Sequence, residues 1–408
     1  MTDQNINDYD PDEYDIKEVS EDVEVEEVLD EGKRRFLLIL QLFLIAIIGF
    51  IAFLGIRYLI SPAPINQMLP AFNIQPAPPA YKFSFAADKP SGMAVSPDNQ
   101  RIYVVETAGD HLVKMFDRDG NLLTSFAPPY TDRSNRALTY IAVSPTGKVY
   151  VNDSYNDTIS IFDADGNYID GIISKERTLS KLVFENTGLV PTPGTIYAYD
   201  ILSHSVFYQE PGKPKQTIPG AQLKRWSPIG IRFDVTGNLL VTNLSSGVHE
   251  VLVFPNDSLE GNLVEFNPVV LNFGVEGTGP GELSFPNTVV RDSKGNYYVS
   301  DGNNGRISVW TPDGKYSTFF GMGSTAETLN LSRGIWMDAN DHLHIADAVG
   351  QVVRVYDVSK SEPAFMFNIG QYGIDEGLFR SPTDVLIDGT GRMYVADRNN
   401  SRVQVWSY

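Results

Sequence analysis

The chain has 408 residues, of which 42% are hydrophobic, and its formal net charge at pH 7 is −19. This acidic balance argues against a nucleic-acid-binding protein, because phosphate binding requires a surface rich in Lys and Arg. The chain contains no cysteine, which excludes disulfides, thiolate metal ligands and a cysteine nucleophile.

The first 35 residues form a strongly acidic segment with few large apolar side chains. Residues 1–35 contain fourteen carboxylates and four basic residues. Such a composition does not bury enough apolar surface to offset the entropy of ordering the chain. We therefore predict a disordered acidic tail over residues 1–35.

A long apolar run follows this segment. From Phe36 to Ile56, Gln41 is the only strongly polar residue. A helix of about twenty-one residues spans about 30 Å, the thickness of a bilayer core. We predict a transmembrane helix over residues 36–60 that is retained as an anchor. A cleaved signal peptide is the alternative, although its apolar core is normally shorter and is followed by a small-residue cleavage site.

Basic residues flank the apolar run unevenly. Lys33, Arg34 and Arg35 precede it, whereas Arg57 alone follows it. Because the flank richer in Lys and Arg stays in the cytoplasm, we predict a single-pass cell-membrane protein with a cytoplasmic N-terminus. Six prolines lie within residues 61–80. Such a segment favours polyproline II, so we predict a semi-rigid stalk that carries an extracytoplasmic domain.

Residues 81–408 repeat one unit of about 47 residues, the size of one β-propeller blade. Clear copies lie at residues 285–321 and 381–408. Each contains short β-branched or aromatic runs separated by turn residues, which predict antiparallel strands. An acidic residue or Asn ends the second strand of each unit, at Glu106, Asp153, Asp200, Asn243, Asp301, Asp347 and Asp397. We therefore count seven blades.

The two ends of the repeat region complement each other. The last unit ends at Tyr408 without a fourth strand, and a similar aromatic segment, YKFSFA, lies at residues 81–86. We predict that this N-terminal strand pairs with the last blade and closes the ring. Closure would leave only short and protected strand edges.

The motif P-x-x-V-x-x-D-x-x-G-x-x-Y-V-x-D-x-x-N-x-R-[IV]-x-V-W occurs at residues 286–310 and 382–406. It resembles the NHL repeat, and the glycine-rich segments at 273–286 and 369–382 are similar to the inter-blade loops of that family. The resemblance extends over residues 81–408 and implies an all-β fold, a β-propeller of NHL type. Propellers of this family commonly have six blades, so six remains the alternative to our count of seven.

The mouth of the central channel, where the innermost strands begin, is where a propeller ligand is expected. Aligning the units places Ser91, Thr139, Ser180, Ile229, Asn287, Arg333 and Thr383 at this position. Lys181 and Asp384 come one residue later, and Arg232 and Arg291 interrupt apolar stretches further along their strands. Our candidate ligand-binding residues are Asn287, Arg333, Thr383, Asp384, Arg232 and Lys181.

No catalytic residue, metal site or cofactor is predicted. His342 and His344 lie two residues apart on one strand, as metal ligands would, but the repeats place Tyr and basic residues in the same columns. Asp117 and Asp163 begin Asp-x-Asp-Gly-Asn segments, which fit hairpin turns better than calcium loops. The acidic column that includes Asp301 and Asp397 is predicted to accept hydrogen bonds from loop N–H groups.

Two functions remain open. The first is a membrane-tethered scaffold that binds a protein, peptide or glycan partner at the cell envelope. The alternative is a metal-dependent hydrolase or lyase, similar to lactonases, that uses the channel mouth. No nucleic-acid partner is expected in either case.

Overall fold

The computed structural model describes residues 34, 36–53, 55–56, 79–129, 131–172, 196–200, 205–209, 212–214, 216–217, 227–245, 247–255, 269–323 and 327–408. The predicted acidic tail, apart from Arg34, and the predicted stalk, apart from Pro79 and Ala80, lie outside these residues. The chain divides into two compact units, residues 1–63 and residues 64–408.

The N-terminal unit contains an apolar helix, Phe36–Phe53. Among the described residues, it is the one helix that is long and apolar enough to cross a membrane. Its large apolar side chains are exposed within this unit, which suits a lipid environment. A membrane anchor and a signal sequence share these properties.

The second unit begins with strand β1 (Ala80–Ala86). The described residues then form blades 1 and 2, each a four-stranded antiparallel sheet. Blade 1 consists of β2 (Pro90–Val95), β3 (Arg101–Glu106), β4 (Val113–Asp117) and β5 (Leu122–Phe126). Blade 2 consists of β6 (Leu138–Val143), β7 (Val149–Asp153), β8 (Thr158–Phe162) and β9 (Tyr168–Ile172).

A smaller sheet separates blades 2 and 3 in the sequence. It consists of β10 (Ile196–Asp200), β11 (Ser205–Gln209) and β12 (Gln216–Thr217). Blade 3 consists of β13 (Pro228–Phe233), β14 (Leu239–Ser245), β15 (Val248–Phe254) and β16 (Leu271–Phe273). A short parallel pair, β17 (Val275–Glu276) and β18 (Glu282–Leu283), lies in the connection to blade 4.

The last three blades follow the same pattern. Blade 4 consists of β19 (Pro286–Arg291), β20 (Tyr297–Asp301), β21 (Arg306–Trp310) and β22 (Tyr316–Phe320). Blade 5 consists of β23 (Ser332–Met337), β24 (His342–Asp347), β25 (Val352–Asp357) and β26 (Ala364–Ile369). Blade 6 consists of β27 (Pro382–Ile387), β28 (Arg392–Asp397), β29 (Arg402–Ser407) and the N-terminal strand β1.

The innermost strands of these blades form a closed ring, in which β2, β6, β13, β19, β23 and β27 contact one another in sequence and β27 contacts β2. Blades 2 and 3 are direct neighbours, because the Thr139 hydroxyl donates a hydrogen bond to the Ile229 carbonyl over 3.1 Å. The Asn152 amide likewise donates to the Pro228 carbonyl over 2.7 Å. The β10–β12 sheet therefore contributes no blade, and the count of seven is wrong: the propeller has six.

Closure of the ring by the N-terminal strand is confirmed. Strand β1 pairs antiparallel with β29, with Phe85 opposite Val403 and Ser84 opposite Gln404. Phe85 is buried, and its ring lies 4.6 Å from that of Phe116 in blade 1. The first and last strands of the propeller therefore share a sheet and a core.

The acidic column at the ends of the second strands has the predicted structural role. A carboxylate oxygen of Asp301 accepts a hydrogen bond from the Ser284 N–H over 2.6 Å, and Asp397 accepts one from the Arg380 N–H over 2.7 Å. Asp153, Asn243 and Asp347 accept corresponding bonds in their own blades. Each bond ties the loop that enters a blade to its second strand, so this column fixes where every innermost strand begins.

The Asp-Gly turns are hairpins, as expected. Asp117 accepts hydrogen bonds from the backbone N–H groups of Asp119 and Asn121 over 2.9 and 2.8 Å. Asp163 makes the same contacts with Asp165 and Asn167. These carboxylates are used within their own turns.

Candidate functional site

The channel is crossed below its mouth by a buried ion pair. Arg232, from the innermost strand of blade 3, contacts the Asp384 carboxylate, from blade 6, over 2.5 Å. Because blades 3 and 6 are three apart in a ring of six, the pair connects opposite sides of the channel. Arg232 is 4% exposed and Asp384 is fully buried. The pair lies within the ring of innermost strands, at the fifth residue of β13 and the third residue of β27.

The ion pair is also bonded to blade 1. The second Asp384 oxygen accepts a hydrogen bond from the Met93 N–H over 2.8 Å, and Arg232 donates to the Met93 carbonyl over 2.9 Å. Burial raises the pKa of the Asp384 carboxyl, while the Arg232 charge and the backbone N–H groups of Met93 and Val385 oppose that rise. Both oxygens of Asp384 are therefore already occupied by protein donors.

Neighbouring side chains leave little space around this pair. The Arg232 guanidinium carbon lies 6.0 Å from the centre of the Tyr140 ring and 5.8 Å from that of Trp336. A Cβ atom at Gly334 would overlap a carboxylate oxygen of Asp384. Glycine at this position therefore allows the strands of blades 5 and 6 to approach closely enough to place Asp384 in the channel.

Asn287 and Arg333 lie together at the mouth itself. Arg333 donates a hydrogen bond from Nη1 to Asn287 Oδ1 over 3.1 Å, and the Asn287 amide donates to the Ser332 carbonyl over the same distance. Asn287 is buried, whereas Arg333 is partly exposed. Thr383 is buried and its hydroxyl donates to the Pro90 carbonyl over 2.9 Å. Of these three residues, Arg333 alone presents a partly exposed charge.

The remaining predicted residues do not join this group. Lys181 and Ser180 lie outside the described residues. Arg291 lies at the opposite end of its blade, where it donates to the Gly295 carbonyl over 2.9 Å and pairs with Asp234 over 3.2 Å. Arg291 is thus a structural residue between blades 3 and 4.

Two residues that the sequence analysis did not select interact electrostatically with Arg333. The Tyr140 hydroxyl makes no hydrogen bond with a described residue, and burial together with the nearby Asp384 charge raises its pKa. Arg398 begins a 3-10 turn (Arg398–Asn400) directly after the Asp397 of blade 6. Burial lowers the pKa of its guanidinium, and the charge of Arg333 lowers it further.

The two histidines lie at the other end of blade 5. His342 Nδ1 and His344 Nε2 lie 3.1 and 3.5 Å from the same oxygen of Asp338. In blades 4 and 6, Tyr298 and Tyr394 make the corresponding contact with Asp292 and Asp388. The histidines therefore replace residues of the repeat, as predicted. No group of three or more His, Cys, Asp or Glu residues that could hold a metal ion occurs among the described residues.

Exposed apolar side chains are concentrated in loops at the mouth end of the propeller. The innermost strands begin at this end, and the connections between second and third strands and between blades lie there. The exposed apolar residues of these loops are Tyr155, Val275, Phe285, Met322, Val349, Tyr372 and Ile374. We call them the mouth face. Of the described loops at the opposite end, only Val235 and Val270 are comparable.

Comparisons with known proteins agree with this architecture. The NHL repeat family matches residues 379–406, which lie in blade 6. Among solved structures, selenomethionine-substituted virginiamycin B lyase from Staphylococcus aureus is 12% identical with a TM-score of 0.50, and the match covers 80% of this chain and 98% of that one. A streptogramin B lyase is 11% identical with a TM-score of 0.49, and the match covers 80% of this chain and 96% of that one.

A protein of unknown function from Bacteroides caccae is 10% identical with a TM-score of 0.46, and the match covers 73% of this chain and 82% of that one. At 12% identity, the likeness to virginiamycin B lyase indicates a similar fold and carries no information about activity. The sheet order, the closure by the N-terminal strand and the matched repeat agree with one another. The chain is therefore a six-bladed β-propeller whose last blade carries an NHL repeat.

Proposed function

We propose that this chain is a membrane-tethered binding module, in which the apolar helix anchors an extracytoplasmic propeller. The propeller binds a protein, peptide or glycan partner at the cell envelope through its mouth face. The observation that carries this proposal is the uneven distribution of exposed apolar side chains between the described loops at the two ends of the propeller. Exposed apolar side chains that are grouped on one face mark interaction sites.

The composition of the mouth face supports a binding role. Tyr372 and Ile374 are 68% and 67% exposed and lie two residues apart in the loop between blades 5 and 6. Tyr155 and Val349 are each 59% exposed on loops of blades 2 and 5. Aromatic and aliphatic anchors of this kind supply much of the binding energy in protein interfaces. Because the loops are held by the blades beneath them, the surface is largely preformed.

The channel below the mouth does not favour the hydrolase or lyase alternative. Asp384 is the carboxylate that the sequence analysis placed there, and its oxygens accept bonds from Arg232 and from the Met93 N–H. A metal ligand or general base at this position would first have to lose these partners. We therefore propose that the ligand is recognised on the surface.

The proposal is tested by partner capture from cell-envelope extract with the full-length chain in detergent. The double variant Tyr372→Ser/Ile374→Ser should bind the partner with an affinity about tenfold or more below that of the wild type. The matched control combines Leu122→Ser and Leu123→Ser, which are 55% and 51% exposed on the outer strand of blade 1.

The comparison between the two double variants decides the outcome. Retention of the partner by the control and its loss from the mouth-face variant would support the proposal. Equal binding by both variants, or equal loss, would show that the mouth face does not direct binding. A parallel screen for lactone and ester hydrolysis with added divalent metal tests the alternative function, and turnover abolished by Asp384→Ala would favour it.

A further inference from the structure

Arg398 has no counterpart in the other blades. It is the residue directly after the acidic column, and the corresponding positions are occupied by Thr107, Ser154, Leu244, Gly302 and Ala348. The equivalence rests on shared backbone bonds: the N–H groups of Ser154, Gly302 and Ala348 all donate to the chain just before the innermost strand of their blade. Blade 6 alone places a charge there.

This position faces the channel mouth. A Cβ atom added at Gly302, the equivalent residue of blade 4, would overlap the side-chain amide of Asn287, which is a mouth residue. Any side chain at the position is therefore directed over the start of the innermost strand. The Arg398 side chain is half-buried there. The innermost strand of its blade, β27, contacts β23, which carries Arg333, and the charge of Arg333 lowers the pKa of Arg398.

The two arginines have donors to spare. Arg333 makes a hydrogen bond to Asn287, and Arg398 makes no side-chain hydrogen bond or ion pair with any residue that the structure describes. Each guanidinium carries five N–H donors and no acceptor. By contrast, Arg306, Arg354 and Arg402 each pair with the acidic column of their own blade. Among the described residues, neither Arg333 nor Arg398 has a carboxylate partner.

The buried carboxylate beneath the mouth does not compete for these donors. Asp384 is held by Arg232 and by the Met93 N–H. Two partly desolvated cations that repel each other are stabilised when an anion binds between them. The guanidinium fork matches the oxygen geometry of carboxylate and phosphate groups.

We propose that Arg333 and Arg398 form an oxyanion-binding site at the channel mouth, which recognises a carboxylate or phosphate group of the ligand. This inference rests on the proposed binding function and specifies the chemistry that it recognises. Arg333 contributes from blade 5 and Arg398 from blade 6. The mouth-face loops would then hold the apolar part of the same ligand.

The test uses the full-length chain in a neutral detergent, with inorganic phosphate and acetate as separate probes at constant ionic strength. We expect the thermal unfolding midpoint of the wild type to rise saturably with at least one probe, because a ligand that binds the folded state stabilises it. Arg333→Gln and Arg398→Gln should each raise the half-saturating concentration by about tenfold or more. The probe with the lower half-saturating concentration shows whether the site prefers a phosphate or a carboxylate group.

The control is Arg133→Gln, an exposed arginine in the loop between blades 1 and 2 at the same end of the propeller. It should leave the response unchanged. Absence of a saturable response in the wild type, or an equal effect of Arg133→Gln, would overturn the oxyanion site. Circular dichroism of each variant shows whether the propeller remains folded.

Partner capture separates this inference from the function on which it rests. In one outcome, partner binding depends on Tyr372 and Ile374, but Arg398→Gln binds the partner as well as the wild type does and neither probe displaces it. This outcome overturns the oxyanion site and leaves the binding module intact. A saturable probe response that Arg398→Gln abolishes, without any partner that depends on the mouth face, supports the oxyanion site and contradicts the proposed function.

Discussion

At the residue scale, the Arg232–Asp384 pair is the most consequential interaction in the channel. The two side chains are 4% and 0% exposed, so their charges are almost fully removed from water. A buried pair of this kind contributes little compared with an apolar replacement, but loss of one partner leaves an uncompensated charge in a medium of low dielectric. The pair therefore fixes how the opposite blades face each other.

We expect Arg232→Met and Asp384→Asn each to lower the free energy of unfolding by about 3–5 kcal/mol. The double variant should lose less than the sum of the two by about 1–3 kcal/mol, because neither charge is then left alone. Denaturant unfolding of the full-length chain in detergent measures all three values. The exposed pair Lys315–Asp313 is the control: Lys315→Met should change stability by less than about 0.5 kcal/mol. Additive effects at the buried sites would contradict the coupling.

Asp338 gives a second prediction at this scale, because it is shared by two histidines. The hydrogen bond to Asp338 raises the pKa of His342. Burial lowers the pKa of His344, although Asp338 opposes that effect. The pKa of Asp338 itself is lowered, since hydrogen bonds and charge from both histidines outweigh its burial. A histidine whose pKa is raised on folding adds stability that is complete below its unfolded pKa and disappears as the pH rises through the folded value.

We therefore expect Asp338→Asn to destabilise the chain more at about pH 5.5 than at about pH 8.5. Thermal unfolding of both proteins at the two pH values measures the difference. Asp388→Asn is the matched control, since Asp388 occupies the same turn position in blade 6 but contacts Tyr394. The stability cost of Asp388→Asn should differ much less between about pH 5.5 and about pH 8.5. A cost of Asp338→Asn that is equal at both pH values would refute the coupling.

At the element scale, most of the fold could be predicted from the sequence. For example, the aromatic-rich runs at residues 122–127, 316–321 and 364–370 contain the fourth strands β5, β22 and β26. Closure by the N-terminal strand was predictable because an aromatic strand was missing at one end of the repeat and present at the other. Local patterns of this kind report how a strand pairs with its neighbours.

The blade number could not be settled in the same way. The segment that ends at Asp200 has the alternation of a blade strand and does form the hairpin β10–β11. Membership of the ring depends on contacts between innermost strands far apart in sequence, such as those of Thr139 with Ile229. Alignment of units contains no information about these contacts. For the same reason it identified Arg333 but not Arg398, whose importance depends on which mouth residue it faces.

The N-terminal strand gives the prediction for this scale. Phe85 is buried, lies against Phe116 of blade 1 and pairs with Val403 of blade 6. We expect Phe85→Ala to lower the free energy of unfolding by about 3–5 kcal/mol, because it removes an aromatic side chain from a packed core. In this variant, backbone amide hydrogen exchange should accelerate more in blades 1 and 6 than in blade 4.

Lys82→Ala on the exposed side of the same strand is the control, and it should change neither stability nor exchange appreciably. Uniform acceleration of exchange across all six blades by Phe85→Ala would show that the closing strand is not a local unit. Protection of blade 6 that survives this variant would indicate that closure depends on other contacts.

At the scale of the whole molecule, the two compact units have different chemistry. The helix Phe36–Phe53 exposes its apolar side chains, whereas the propeller buries its apolar residues within and between the blades. Such a helix is stable in lipid, whereas a propeller that buries its apolar residues is stable in water. A tether of this kind would raise the local concentration of the binding module at one surface, which makes modest affinity for an envelope partner sufficient.

The orientation of this tether is the last prediction. Lys33, Arg34 and Arg35 precede the apolar run, so we expect the tail to remain in the cytoplasm and the propeller to lie outside. The absence of cysteine allows single-site labelling. A membrane-impermeant maleimide should label Tyr372→Cys in intact spheroplasts, and Asn5→Cys only after permeabilisation. Neutralising the three basic residues with Gln should increase the fraction with inverted labelling. Labelling of Asn5→Cys in intact spheroplasts would contradict this orientation, and its absence from the mature protein would identify a cleaved signal sequence.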